Sequence, residues 1–154
     1  MPPAAQGAKR AVAVDAAYLL DLLAGEADAV DAARDLDRRG LEVVLPAPAL
    51  YEVLAATQYA HGDQAARELA DALQAHRVLP VDAHGALLAA RLRARLLSRG
   101  HRITHAASLA AGVAQATGHR LLTRHEALLA APETAAGLDI ETYGPRRSLP
   151  SRVP

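Results

Sequence analysis

The 154-residue chain contains no Cys, no Trp and no Phe, only one Met, one Lys and four Tyr, and its formal charges cancel. Without Cys, thiolate catalysis, Cys-ligated zinc and a disulfide scaffold are excluded, and nothing in the residue usage argues for an oxidising compartment. No apolar run approaches the roughly 20 residues that a bilayer span requires. Met1 to Arg10 also lacks the apolar centre of a signal peptide. The expectation is therefore a soluble, cytoplasmic protein with no membrane association. A chain of this length removes roughly 70% of its unfolded surface from water, enough for one core without staples.

Several enzyme classes drop out for lack of their motifs. The seven His residues show no HExxH spacing, which argues against a zinc-protease-like site. Ser98 and Ser108 lack the Gly-x-Ser-x-Gly of a nucleophile elbow, and no Gly-rich phosphate loop follows a strand. Serine hydrolases, P-loop NTPases and Rossmann oxidoreductases are thereby set aside.

The neutral total conceals an asymmetry. Residues 1–77 hold 7 basic and 12 acidic side chains and residues 78–154 hold 10 and 5, so the two halves carry −5 and +5. Every basic residue except Lys9 is Arg, the side chain that forks onto phosphate and stacks on bases. A GC-rich coding sequence would produce the same Arg usage together with the excess of Ala.

Residues 1–9 and 145–154 are Pro-rich and without hydrophobic periodicity, so they read as loose tails around a folded unit at 10–144. Within it, short apolar runs at 11–14, 42–46, 78–81, 120–123 and 138–143 read as strands. Helical patterns fall at about 16–24, 27–39, 48–60, 63–76, 83–99 and 104–117, with a short helix after 123. Short apolar strands alternating with helices predict an α/β fold, a three-layer α/β/α sandwich on a mainly parallel sheet. Function in such sheets gathers beyond the carboxyl ends of the strands.

Two carboxylates are candidates for chemistry. Asp15 ends the first apolar run just before a helix, where it either caps that helix or delivers a functional carboxylate. Glu52 interrupts the apolar helical segment Ala49-Leu50-Tyr51-Glu52-Val53-Leu54-Ala55-Ala56. A carboxylate there either reaches solvent or an Arg, or it binds a cation, because burying it alone is costly.

The combined patterns VDAAYLLDLL, LPAPALYEVLAA and ASLAAGVAQATGHRLLTRHEAL resemble the PIN-domain nucleases, particularly the VapC-like toxins of bacterial toxin–antitoxin pairs. The resemblance runs from about residue 11 to 143. It implies a ribonuclease dependent on Mg²⁺ or Mn²⁺, whose acidic residues converge above the sheet. Asp15 matches the family's first acidic position and Glu52 its second, and both would be metal-site residues. These hard cations favour carboxylate and water oxygens, and they activate water while neutralising phosphoryl charge.

The match then departs from the family pattern. Ala107 occupies the third acidic position, with His105 and Ser108 as its nearest polar neighbours. His125 stands at the fourth, where Asp or Asn is usual, with Glu126 beside it, and Ala16 and Ala17 replace the Thr or Ser that follows the first Asp. Three explanations stay open: an engineered Asp-to-Ala knockout, a natural loss that leaves a non-catalytic module binding RNA or an antitoxin-like protein, or a weaker Mn²⁺-preferring site supported by His125 and Glu126.

Arg91, Arg95 and Arg99 recur at four-residue intervals, with Arg102 just beyond. That spacing lines one helix face, either as an RNA phosphate-binding stripe or as the solvated side of a buried helix. Leu50, Tyr51, Leu54, Ala55 and Tyr59 read as core packing. The resemblance alternatively implies a groove there for an antitoxin peptide, and a homodimer.

Overall fold

The computed structural model describes residues 10–130 and 137–144. The expected tails at 1–9 and 145–154 lie outside the described residues. Strand β1 (Ala11–Val14) leads into helices α1 (Ala16–Leu23) and α2 (Ala27–Arg38), then β2 (Glu42–Pro46) and helices α3 (Ala47–His61) and α4 (Asp63–Leu73). After these come β3 (Val78–Leu79), α5 (Ala83–Ser98), α6 (His105–Ala116), β4 (Arg120–Leu122), α7 (Glu126–Ala130) and β5 (Ile140–Glu141).

The five strands form one sheet in the order β3-β2-β1-β4-β5, and every pairing is parallel. β1 is central and buried along its whole length, which is why AVAV is apolar at every position rather than alternating. Its side chains nonetheless sort by the period of two. Ala11 and Ala13 join a core with Leu92, Leu96, Val113 and Leu128 from α5, α6 and α7. Val12 and Val14 join a second core with Leu19, Leu36 and Val53 from α1, α2 and α3. Helices thus cover both faces, in the three layers expected from the sequence. Among the described residues no helix is long and apolar enough to cross a membrane.

Helix starts follow local chemistry. The side chains of Asp15, Glu26, Asp82 and Thr104 accept from backbone N–H groups of α1, α2, α5 and α6 respectively, satisfying donors that the helix leaves unpaired. Strands come out shorter than their apolar runs. β3 stops at Leu79 because Pro80 has no N–H to continue the ladder. β5 is confined to Ile140–Glu141; its ladder with β4 ends at the pair Leu122–Glu141, closed by Thr123 N donating to the Glu141 carbonyl at 2.9 Å. α4 ends at Leu73, and His76 instead faces the Val43 carbonyl, with Nδ1 at 3.3 Å.

α5 and α6 pack at unusually close range. A Cβ at Gly112 would lie 2.5 Å from the Gly85 carbonyl oxygen and 2.6 Å from both Ala89 N and Cβ. Two of those atoms belong to backbone and cannot swing aside. Helix propensity alone would favour Ala over Gly by about 1 kcal/mol, but the overlap opposes it. Gly112→Ala is expected to cost about 1–3 kcal/mol, read as a lower urea midpoint; an unchanged midpoint would refute the tight contact.

His119 lies at the opposite end of the sheet from Asp15, buried just before β4. Its Nδ1 pairs with Thr117 Oγ1 at 2.8 Å, while among the described residues Nε2 has no hydrogen-bond partner. Burial, with the Arg77 charge adding and Glu42 opposing, holds this imidazole below the usual His range. A His with a lowered folded pKa costs stability as pH falls through the unfolded value of about 6.5 toward the folded one. The melting temperature should therefore drop from about pH 7 to about pH 5, and His119→Gln should flatten that slope.

Candidate active site at the carboxyl edge of the sheet

Three alanines set the geometry. Ala16 on α1, Ala49 on α3 and Ala110 on α6 pack into one small buried cluster. Their short side chains let three helices meet beside the carboxyl end of β1. Asp15 immediately precedes Ala16, Glu52 is one turn after Ala49, and Ala107 is one turn before Ala110. Residues three apart share a helix face, and across this junction the charge of Asp15 acts on Glu52.

Asp15 is buried and has the capping role left open by the sequence. Its Oδ1 accepts from Tyr18 N at 2.9 Å, and its Oδ2 accepts from Thr123 Oγ1 at 2.5 Å. Thr123, fully buried at the end of β4, in turn accepts from His125 N at 3.0 Å. Burial raises the Asp15 carboxyl above its usual range; Thr123, Tyr18 and the His125 charge pull it down, and Asp21 pushes it further up. Glu52 is half-buried, and burial followed by the charge of Asp15 raises its carboxyl as well. The charge of Asp15 thus adds to burial in disfavouring an ionised Glu52.

The other sequence candidates are distributed less tightly. His125 is partly exposed and acts electrostatically on Asp15. Glu126 opens α7 as an exposed side chain, and it is not among the charges acting on Asp15 or Glu52. Ala107 is partly buried against the core of α5 and α6, and its N–H donates to the Thr104 cap. Arg91 and Arg95 lie on the exposed face of α5, with Arg99 as its C-cap. None of the three is among the charges that shift Asp15 or Glu52.

Sequence reasoning assigned no role to Thr123, nor to the ion network beneath the site. Arg124 reaches Asp21 at 2.8 Å, Glu26 at 3.3 Å and Asp28 at 3.5 Å, and it lies 4.6 Å over the Tyr143 ring. Tyr143 donates to Asp21 at 2.6 Å and meets the Tyr18 ring edge-on. Burial and the bond to Asp21 push the Tyr143 hydroxyl well above the usual phenol range. This clamp ties the 123–125 loop to α1 and α2. A polar Thr-Arg pair directly after a buried strand was the available signal.

The donor chemistry bears on a cation. Among the described residues no group of three or more His, Cys, Asp or Glu side chains converges to enclose a metal ion. Two mutually repelling carboxylates with spare lone pairs nevertheless fit the Mg²⁺ type of site, which takes one or two protein carboxylates and leaves the rest to water and substrate phosphate.

A second feature flanks the pocket. An apolar groove of about 380 Å³ runs between α1, α2, α3 and α4, lined by Tyr18, Leu19, Leu22, Leu36, Leu69 and Leu73 among others. Tyr51 and Tyr59 on α3, expected as core, are instead 68% and 95% exposed, because their helix packs on the sheet through Pro48, Ala49 and Val53.

The profile of the PIN domain family matches residues 12–133. The chain belongs to the PIN domain family. Solved structures agree on the fold. VapBC2 from Rickettsia felis, bound to a DNA fragment from its promoter, superposes with a TM-score of 0.69 at 16% identity, covering 87% of this chain and 99% of that one. VapBC-5 of Mycobacterium tuberculosis, a member of the VapBC toxin–antitoxin family, gives 0.60 at 21% identity, covering 86% and 97%. FitAcB from Neisseria gonorrhoeae gives 0.63 at 20%, covering 84% and 95%. No curated protein matches the sequence.

The carboxyl pair in this PIN domain makes a stability prediction. A carboxyl whose folded pKa is raised stabilises fully below the unfolded value and loses that stability as pH rises through the folded one. Glu52→Gln should therefore stabilise the cation-free protein at neutral pH, by about 1 kcal/mol or less once solvent screening is allowed for. The advantage should vanish below about pH 4. Thermal melts across that range check it, and a Gln variant that melts lower at neutral pH would refute the repulsion.

Proposed function

We propose that this PIN-domain chain is a VapC-like, toxin-type ribonuclease of reduced metal affinity, hydrolysing RNA phosphodiesters in the cytoplasm and restrained by an antitoxin protein. The observation that carries it is the Asp15–Glu52 pair, two carboxyls raised by burial and linked by the Asp15 charge acting on Glu52. A protein keeps such a repulsive pair where a cation relieves it. Asp15 and Glu52 would hold a Mg²⁺ or Mn²⁺ ion, which when bound supplies water activation and neutralisation of phosphoryl charge. Thr123 and the Tyr18 N–H hold the Asp15 carboxylate in one orientation. Arg91, Arg95 and Arg99 contribute phosphate contacts that position RNA without reading its bases.

The antitoxin reading rests on the groove, whose apolar lining could take the apolar face of a partner segment, together with the VapBC complexes among the similar structures. Exposed Tyr51 and Tyr59 on α3 support a homodimer in the same reading.

Ala107 favours a second reading, a non-catalytic PIN-fold module that binds RNA or an antitoxin-like partner, because a third carboxylate is missing where three helices converge. Cleavage of an RNA oligonucleotide with Mn²⁺ or Mg²⁺ by the chain, Asp15→Asn and Ala107→Asp separates the two. The ribonuclease reading expects slow cleavage abolished in Asp15→Asn and accelerated about tenfold or more in Ala107→Asp. Cleavage by Ala107→Asp alone would assign the chain to the second reading. If no variant cuts and none binds Mn²⁺, the nuclease reading fails.

A further inference from the structure

His125 replaces an Asp or Asn of the family pattern, and the structure shows how an imidazole fills that place. It immediately precedes α7, and its carbonyl oxygen accepts from Leu128 N and Leu129 N at 3.1 Å each. Its ring Nδ1 accepts from Ala127 N at 3.3 Å. That is the N-cap bond which the side-chain oxygen of Asp or Asn ordinarily accepts. A further bond from His125 N to Thr123 Oγ1 at 3.0 Å fixes the backbone beside Asp15.

The cap determines where the ring proton sits. A nitrogen that accepts an N–H bond presents its lone pair, so in the neutral imidazole the proton is on the other nitrogen, Nε2. Nε2 is then a donor with no lone pair to give a cation. The reverse tautomer would set an Nδ1–H against the Ala127 N–H and uncap α7. Among the described residues Nε2 makes no hydrogen bond, and the ring is partly exposed.

We propose that His125 is a phosphate-binding donor, its Nε2–H taking a phosphodiester oxygen of RNA beside the Asp15–Glu52 pair, and not a ligand of the metal ion. The identity of its ligand rests on the ribonuclease reading. A donor here suits a pocket already rich in negative charge, where Asp would add to the repulsion of an incoming phosphate.

Two measurements that need no cleavage test it. Long-range proton–nitrogen NMR on histidine-labelled protein should show the Nε2–H tautomer for His125 at neutral pH, unchanged by Mg²⁺ or Cd²⁺. An Nδ1–H tautomer, or a Cd²⁺-dependent shift of Nε2, would overturn the proposal. Binding of a 2′-O-methyl RNA oligonucleotide in the presence of Mg²⁺ is then compared across two variants. His125→Asn keeps the cap, but its shorter side chain places no donor at the Nε2 position, so it should bind about tenfold more weakly. His125→Gln reaches the Nε2 position and should stay within about threefold of the parent. Mn²⁺ affinity, read by electron paramagnetic resonance, should be unchanged in both. Loss of Mn²⁺ binding in both, or RNA binding indifferent to Asn, would overturn it. A chain that keeps the tautomer and the RNA contact yet cuts nothing would sink only the ribonuclease reading.

Discussion

Burying Asp15 at the point where β1 ends and α1 begins is the constraint around which this molecule is arranged. A carboxylate removed from water must find donors, and two are supplied from different parts of the chain: the Tyr18 N–H one turn into α1 and the Thr123 hydroxyl at the end of β4. The second spans a sequence separation of 108 residues. It therefore exists only if β4 lies beside β1 in the observed register, Val14 opposite Leu122. Sheet order, helix capping and the polarity of the site are thus aspects of one requirement.

At position 107, where the resemblance implies an acid, the chain carries an Ala that the fold accommodates. Ala107 packs against the core of α5 and α6, and its N–H is satisfied by Thr104 rather than by its own side chain. The Ala there leaves no orphaned donor. At the fourth position the balance differs, since His125 keeps the capping function of Asp or Asn while changing what is offered to a ligand. The Arg124 clamp on Asp21, Glu26 and Asp28 holds the loop that carries it.

Much of the architecture was legible in the residues because it depends on local pattern. Buried parallel strands show as short apolar runs, helix starts as Asp, Glu and Thr, and helix ends as Gly at positive φ, for instance Gly25 and Gly40. Strand lengths were overestimated at β3 and β5, where an apolar run continued past the point at which a ladder partner existed. Tyr51 and Tyr59 were misjudged for a related reason. Hydrophobicity tells how a side chain behaves in water, not which face of α3 the sheet will cover.

Sequence alone determined the order of elements, the absence of thiol chemistry and the two carboxylates at motif positions, because these follow from residue type and near-neighbour spacing. Tertiary structure decided which groups share the pocket with Asp15: Thr123 as its donor, Glu52 as its repelling neighbour, and His125 with its ring turned to cap α7. Those relations span 37 residues for Glu52 and 108 for Thr123, or hinge on how one ring is turned. They are set by sheet register and helix contact, and no local pattern encodes either.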